Sequence, residues 1–216
     1  MVIGIDLDGV VCDFIGSLLR MEGRGELQGN QQDYYFPHKG DCVVYTEKQF
    51  MKAWDEFNAQ HGFIGIKMIS GAFEGIEELL KKKFEIVFVT DRKKESFRDT
   101  WYWMRLMGWL GRIPVVFSNG EKVKFLVGDN FGRISPIGSF GTPFHGGIPL
   151  VMVDDEPKIL RGLNEVQGDN GILPICFDQS WNRDVPINVV RMYDWEELVM
   201  FIKDFHDRST DEKMGG

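Results

Sequence analysis

The chain has 216 residues, 43% of them hydrophobic, and a formal net charge of -8 at pH 7. That is enough for one domain with a sizeable core, or for a domain carrying a small insertion, and the apolar share excludes a disordered chain. The acidic balance excludes a protein that grips nucleic acid along its backbone, so no stable nucleic-acid binding is expected; a small phosphorylated substrate fits only if a cation offsets the repulsion locally.

Residues 2–7 are a short apolar run ending in acids, which predicts a buried strand. Residues 14–70 are too many for an ordinary connection. They carry helical patterns (FIGSLLRM, EKQFMKAWDEFNAQ) around an aromatic loop, QDYYFPHKG, so they predict a small, mainly helical cap. Apolar residues at helical spacing with a basic end predict a helix over 73–83, and the β-branched and aromatic run FEIVFV predicts a strand over 84–89. An aromatic-rich helix follows at 96–107 and a third strand at 113–117. Residues 126–147 are glycine-rich with little periodicity, which predicts a long loop or a hairpin near the same end of the sheet as the cap. A strand at 149–153, a helix at 156–166, a strand at 172–177 and a helix at 195–205 complete the alternation. The polar tail 206–216 is predicted to fray. Near-continuous apolar strands separated by helices imply an α/β fold: a Rossmann-like core of parallel strands flanked by helices, formed by 1–13 and 71–205, with the cap 14–70 inserted after the first strand.

Three cysteines, Cys12, Cys42 and Cys176, fit neither a disulfide framework nor a zinc pattern, which suits a reducing, cytoplasmic setting. The first residues, MVIGIDLDGV, lack the charged and cleavable parts of a signal peptide, and no apolar run approaches the length of a membrane span, so no membrane association is expected.

The chemistry stands at the predicted strand ends. Strand one closes on Asp6-Leu7-Asp8-Gly9, strand two on Thr90-Asp91-Arg92, and the strand at 149–153 on Asp154-Asp155. In an open parallel sheet the carboxyl ends of adjacent strands line one crevice, where ligands bind. Each acid alone can be a turn former or a helix cap. Together they put several carboxylates in one place, a costly arrangement that a hard divalent cation with oxygen ligands resolves. Lys122 and Lys124 can bring positive charge to the same crevice.

IDLDGVVCDF, VFVTDR, the lysine of EKVK, and VMVDDEPK, in that order, closely resemble the four motifs of the haloacid dehalogenase (HAD) superfamily of phosphohydrolases. The resemblance spans residues 3–158. It implies a magnesium-dependent phosphatase in which Asp6 is the nucleophile, forming an aspartyl-phosphate, and Asp8 is the acid and base. Asp6 would start ionised and Asp8 protonated. An acid at position 8 marks phosphatases of the family, not its dehalogenases. Thr90 would hydrogen-bond the phosphoryl group, and Lys122 would neutralise it. Lys122 is preferred to Lys124 because it stands at a loop–helix junction, with Phe125 and Leu126 behind it at core spacing. Mg2+ would be held by the Asp6 carboxylate, the Asp8 backbone carbonyl and the pair Asp154 and Asp155, with Asp154 the first choice for direct ligation. Gly9 would let the backbone turn tightly beside the phosphate. Asp91 is placed at the substrate, and Arg92 either contacts substrate or pairs with a nearby acid.

Such caps choose the substrate. Tyr34, Tyr35 and Phe36, in the aromatic loop, are the pocket candidates; Trp54 and Phe57, at helical spacing with Phe50, read as the cap's own core. The stretch ICFDQSWNRDVPINVVRMYDWEELVMFI resembles the end of the cytosolic 5'(3')-deoxyribonucleotidase family. That implies a nucleoside monophosphate as substrate. A sugar phosphate, a 3'-phosphate on a nucleic-acid end, and a non-catalytic phosphate- or protein-binding relative are the alternatives. A homodimer is compatible with the sequence but not required by it.

Overall fold

The structure, a computed structural model, describes residues 1–23, 47–118, 120–127, 149–183 and 188–214. Among them are strands β1 (Val2–Ile5), β2 (Glu85–Thr90), β3 (Val115–Phe117), β4 (Val151–Asp154), β5 (Leu173–Phe177) and β6 (Val190–Met192). All pair in parallel, in the order β3-β2-β1-β4-β5-β6. The helices are α1 (Phe14–Met21), α2 (Glu47–Ala59), α3 (Ala72–Lys81), α4 (Phe97–Leu106), α5 (Lys122–Val127), α6 (Pro157–Asn170) and α7 (Trp195–Met214).

The strand period of two sorts β2 between two cores. Ile86 and Phe88 join Ile3, Ile5, Val153 and Ile175 in a cluster that takes in Ile76 and Leu79 of α3 and Leu198 and Ile202 of α7. Val87 and Val89 face the other way, onto Leu126 of α5 and Ile159 and Leu163 of α6. Both faces of the sheet are therefore covered, which is why its strands read as unbroken apolar runs. At about 25 cal/mol per Å² of apolar area removed from water, two such layers are the main support of the fold.

The segment predicted as a cap leaves and rejoins the sheet through one narrow neck. Cys12 bridges Met68 in antiparallel fashion, the Ile69 amide donates to the Val11 carbonyl at 2.9 Å, and the Asp13 amide to Lys67 at 2.8 Å. Asp13 then caps α1, its carboxylate accepting from the Gly16 amide at 2.9 Å. Phe14, Phe50, Trp54, Phe57 and Phe63 form one aromatic cluster over this neck. Trp54 and Phe57 thus pack with Phe50, as their helical spacing predicts.

Two expectations are corrected. A sixth strand, β6, lies within the turn-rich run after β5; three residues are too few to show a period of two. The tail expected to fray from residue 206 instead continues α7 to Met214. It holds no glycine or proline before Gly215, and at its start the His206 ring meets Phe84 edge-on at 5.2 Å. Nearly all of the predicted loop 126–147 lies outside the described residues. Among the described residues, no helix is long and apolar enough to cross a membrane.

Candidate active site

β2, β1 and β4 are neighbours, so their carboxyl ends share one crevice. The Asp6 amide still donates to Val153 of β4 at 2.9 Å. This holds the residue just past β1 level with Asp154, the last residue of β4. Lys122, the first residue of α5, reaches in from beyond β3. Its ammonium lies 2.9 Å from Asp6 Oδ2 and 2.9 Å from Asp154 Oδ2, with the lysine side chain 1% exposed. Asp6 Oδ1 accepts from the Leu7 amide at 2.7 Å, and Asp154 Oδ1 from the Glu156 amide at 2.9 Å. Asp155 accepts from the Trp181 indole N–H through Oδ2 at 2.8 Å; its Oδ1 has no partner among the described residues.

Asp6, Asp154 and Asp155 are all buried, and each offers a carboxylate oxygen within 4.8 Å of the others. Three carboxylates against one ammonium leave two negative charges uncompensated when all are ionised. Burial, followed by Asp154 and Asp6, pushes the Asp155 carboxyl well above the usual carboxylate range. Burial is also the chief cause at Asp6 and Asp154, where Lys122 pulls the other way. Burial by itself would lower Lys122, but Asp154, Asp6 and Asp91 hold it well above an ordinary lysine. A hard dication fits this donor set: all ligands are oxygens, and among the described residues the missing charge is two and Asp155 Oδ1 is open. The resemblance had ranked Asp154 first for direct ligation. Both Asp154 oxygens accept from the protein, as do both Asp6 oxygens, and all three acids stay within ligand distance of one another.

Asp8 is held differently. Arg92 Nε and one terminal nitrogen donate to its two oxygens, each at 2.7 Å, a bidentate grip on a carboxylate. The same guanidinium donates to Thr100 at 3.0 Å and lies 4.3 Å from the Phe63 ring centroid. Of the two roles the sequence offered Arg92, substrate contact or pairing with a nearby acid, the buried side chain makes the second, on Asp8, and it also borders the cleft. Asp8, expected protonated at the start, stands here as the partner of a cation.

Thr90 is buried at the end of β2, and its Oγ1 accepts from the Arg92 amide at 3.2 Å, which leaves the hydroxyl proton available. Asp91 accepts from the Ser118 hydroxyl and from the Gly120 amide at 3.0 Å, bracing the turn that delivers Lys122. Gly9 has φ +85°, and a Cβ there would fall 2.2 Å from Asp155 Oδ2. The tight turn beside the acids is therefore a glycine requirement. Lys124 points away, 78% exposed and paired with Glu121.

A cleft of about 740 Å³ opens over these groups, lined by Asp6, Asp8, Thr90, Asp91, Lys122 and Asp155 and, from α2, by Phe50, Met51 and Trp54. Tyr34, Tyr35 and Phe36 lie outside the described residues. Sequence reasoning missed the turn after β5. Besides the Trp181 bond, Asn182 Nδ2 donates to the Asp155 carbonyl at 2.9 Å, and Gln179 Nε2 to the Gly9 carbonyl at 2.6 Å. A tryptophan in an aperiodic turn carries no signal of such a role.

The chain matches no protein-family model, and no curated protein matches it in sequence. Solved structures do resemble it. A haloacid dehalogenase-like family hydrolase from Streptococcus pneumoniae superposes with a TM-score of 0.52 at 13% identity, over 93% of this chain and 97% of that one. A Bacillus subtilis protein assigned to the HAD hydrolases, solved with bound magnesium, gives 0.51 at 14% identity, over 94% and 98%. A HAD family hydrolase from Deinococcus radiodurans, solved with phosphate and sodium, gives 0.51 at 15%, over 91% and 92%. The fold is thus that of the HAD hydrolases. None of these three is described as a nucleotidase.

Proposed function

We propose that a chain with this fold and this acid cluster is a magnesium-dependent phosphatase that passes the phosphoryl group of a small ester first to Asp6 and then to water. One observation carries the reading: among the described residues, Lys122 bridges Asp6 and Asp154 in a buried cluster of three acids with no second cation, and Asp155 Oδ1 has no partner. Asp6, Asp155 and the Asp8 carbonyl would hold Mg2+, which supplies charge neutralisation for the phosphoryl oxygens.

In the first step an Asp6 carboxylate oxygen forms a bond to phosphorus while the ester P–O bond breaks. Lys122 and the free Thr90 hydroxyl proton meet the charge gathering on the phosphoryl oxygens. Asp8, released from Arg92 and carrying a proton from solvent, gives that proton to the departing alkoxide. In the second step Asp8 takes a proton from water as that water attacks phosphorus. The aspartyl P–O bond breaks, inorganic phosphate leaves, and the Asp6 carboxylate is restored.

For the substrate, the reading is a nucleoside monophosphate, with residues 14–70 acting as the cap that selects it. The cleft is far larger than a phosphate group, and Phe50 and Trp54, whose rings also pack in the aromatic cluster, border it. Base–aromatic stacking contributes about 1–3 kcal/mol. The test is a turnover panel of 5'-nucleoside monophosphates, sugar phosphates and p-nitrophenyl phosphate, with magnesium and with EDTA. Metal-dependent turnover that favours the nucleotides is expected. Equal or better turnover of sugar phosphates defeats the nucleotide assignment, and no turnover of any ester by folded protein defeats the phosphatase reading.

A further inference from the structure

The turn that follows β5 is more tightly tied than a surface connection requires. Asn182 is fully buried. It donates to the Asp155 carbonyl at 2.9 Å and to the Phe177 carbonyl at 2.9 Å. Its own amide oxygen accepts from the Gln179 amide at 3.1 Å and from Arg191 at 2.6 Å. Asp178, whose side chain is 2% exposed, pairs with Arg183 at 2.7 Å and Arg191 at 2.9 Å. The braced turn carries Trp181, itself buried, with its indole N–H on Asp155 Oδ2 at 2.8 Å. The Asp155 carboxylate also lies against the Gly9 backbone, in the space a side chain at Gly9 would need.

An indole N–H can only donate, and a buried one needs an acceptor. A carboxylate held at one oxygen cannot turn about its own bonds, so the other oxygen keeps a fixed aim. We propose that Trp181 is a positioning residue for the cation: it occupies Oδ2 of Asp155 and so presents Oδ1 as the ligand. The inference rests on the magnesium-phosphatase reading above. Trp181 touches neither the cation nor the phosphoryl group in this scheme; it acts through Asp155. Partners of this kind typically change metal affinity by about 10–100-fold when removed.

The test is Trp181→Phe, which keeps an aromatic ring and deletes the donor. Magnesium alone is titrated calorimetrically into the metal-free full chain, beside wild type and Asp155→Asn. The expected result is a magnesium Kd raised about 10-fold or more in Trp181→Phe, with kcat at saturating magnesium largely kept. A merely structural Trp181 would lower the melting temperature and leave the Kd within about twofold of wild type, and that result overturns the inference. Trp181→His, which retains a ring N–H, covers the case in which the phenylalanine variant does not fold. Its Kd is expected nearer to wild type than that of Asp155→Asn, and a Kd as weak as that variant's counts against the donor role. The two failures are separable. Wild type that binds no magnesium defeats the phosphatase reading itself, whereas wild type that binds it with the same Kd as Trp181→Phe defeats only the role of Trp181.

Discussion

Lys122→Met tests the electrostatics of the site most sharply. Methionine keeps much of the buried stem and removes the ammonium that sits 2.9 Å from both Asp6 and Asp154. In the metal-free protein this leaves three buried acids with no cation among them. Breaking a buried pair by deleting one partner costs about 3–5 kcal/mol. For a chain of this length each kcal/mol moves the melting temperature by about 2–4 °C, so the drop should be roughly 6–20 °C in EDTA at neutral pH. Calorimetric melts read it directly. The sign with pH follows from the raised acids. A carboxyl whose folded value lies above its unfolded one loses stability as pH rises through the folded value. Lowering the pH toward the ordinary carboxylate range should therefore return much of the loss, as the acids take up protons, and magnesium at neutral pH should return part of it. Turnover should fall by about 10²–10³-fold, the usual cost of one preorganised donor. A variant that melts within about 2 °C of wild type in EDTA, with no response to acid, would mean that the cluster is not charged in the way described.

Gly9→Ala forces a side chain into φ +85° and against Asp155. Calorimetry should show a stability loss of about 1–2 kcal/mol from backbone strain, together with weakened magnesium binding; binding equal to wild type would mean that Asp155 is not confined there. Arg92→Met removes the partner of Asp8 from a pair whose side chains are 0% and 9% exposed. Urea unfolding should give a loss of about 3–5 kcal/mol, and an unchanged midpoint would deny the pair its structural weight. Burial raises all three acids of the cluster, so magnesium must displace protons as pH falls. The melting-temperature gain from magnesium should shrink as pH falls from neutral toward the ordinary carboxylate range, and a gain independent of pH would point to ligands other than these acids.

Much of the site was legible because parallel strands announce themselves twice, as unbroken apolar runs and by the polar residues that end them. Asp6, Thr90 and Asp154 each follow such a run, so adjacency of β2, β1 and β4 was enough to bring them together. Lys122 was legible by its place before Leu126, which the structure buries completely. What stayed hidden depends on pairings between distant elements. Arg92 and Asp8 are 84 positions apart, and nothing local shows that the arginine turns to the acid and not to a ligand. Trp181 lies in a turn, 26 positions from Asp155, and reads as an ordinary core tryptophan. Which oxygens of Asp154 and Asp155 are held by Lys122, Glu156 and Trp181 was equally illegible. β6 is too short to carry a period, and the polar tail beyond His206 shows no apolar spacing that would mark the end of α7.

The claim on which all this stands is that Asp6 takes the phosphoryl group. The most direct measurement is an acid quench during steady turnover of a 32P-labelled ester with magnesium, followed by peptide mapping by mass spectrometry. The account predicts label on the peptide bearing Asp6 in wild type and none in a folded Asp6→Asn variant, whose turnover is lost. Label on another residue, or near-normal turnover by Asp6→Asn, would contradict it.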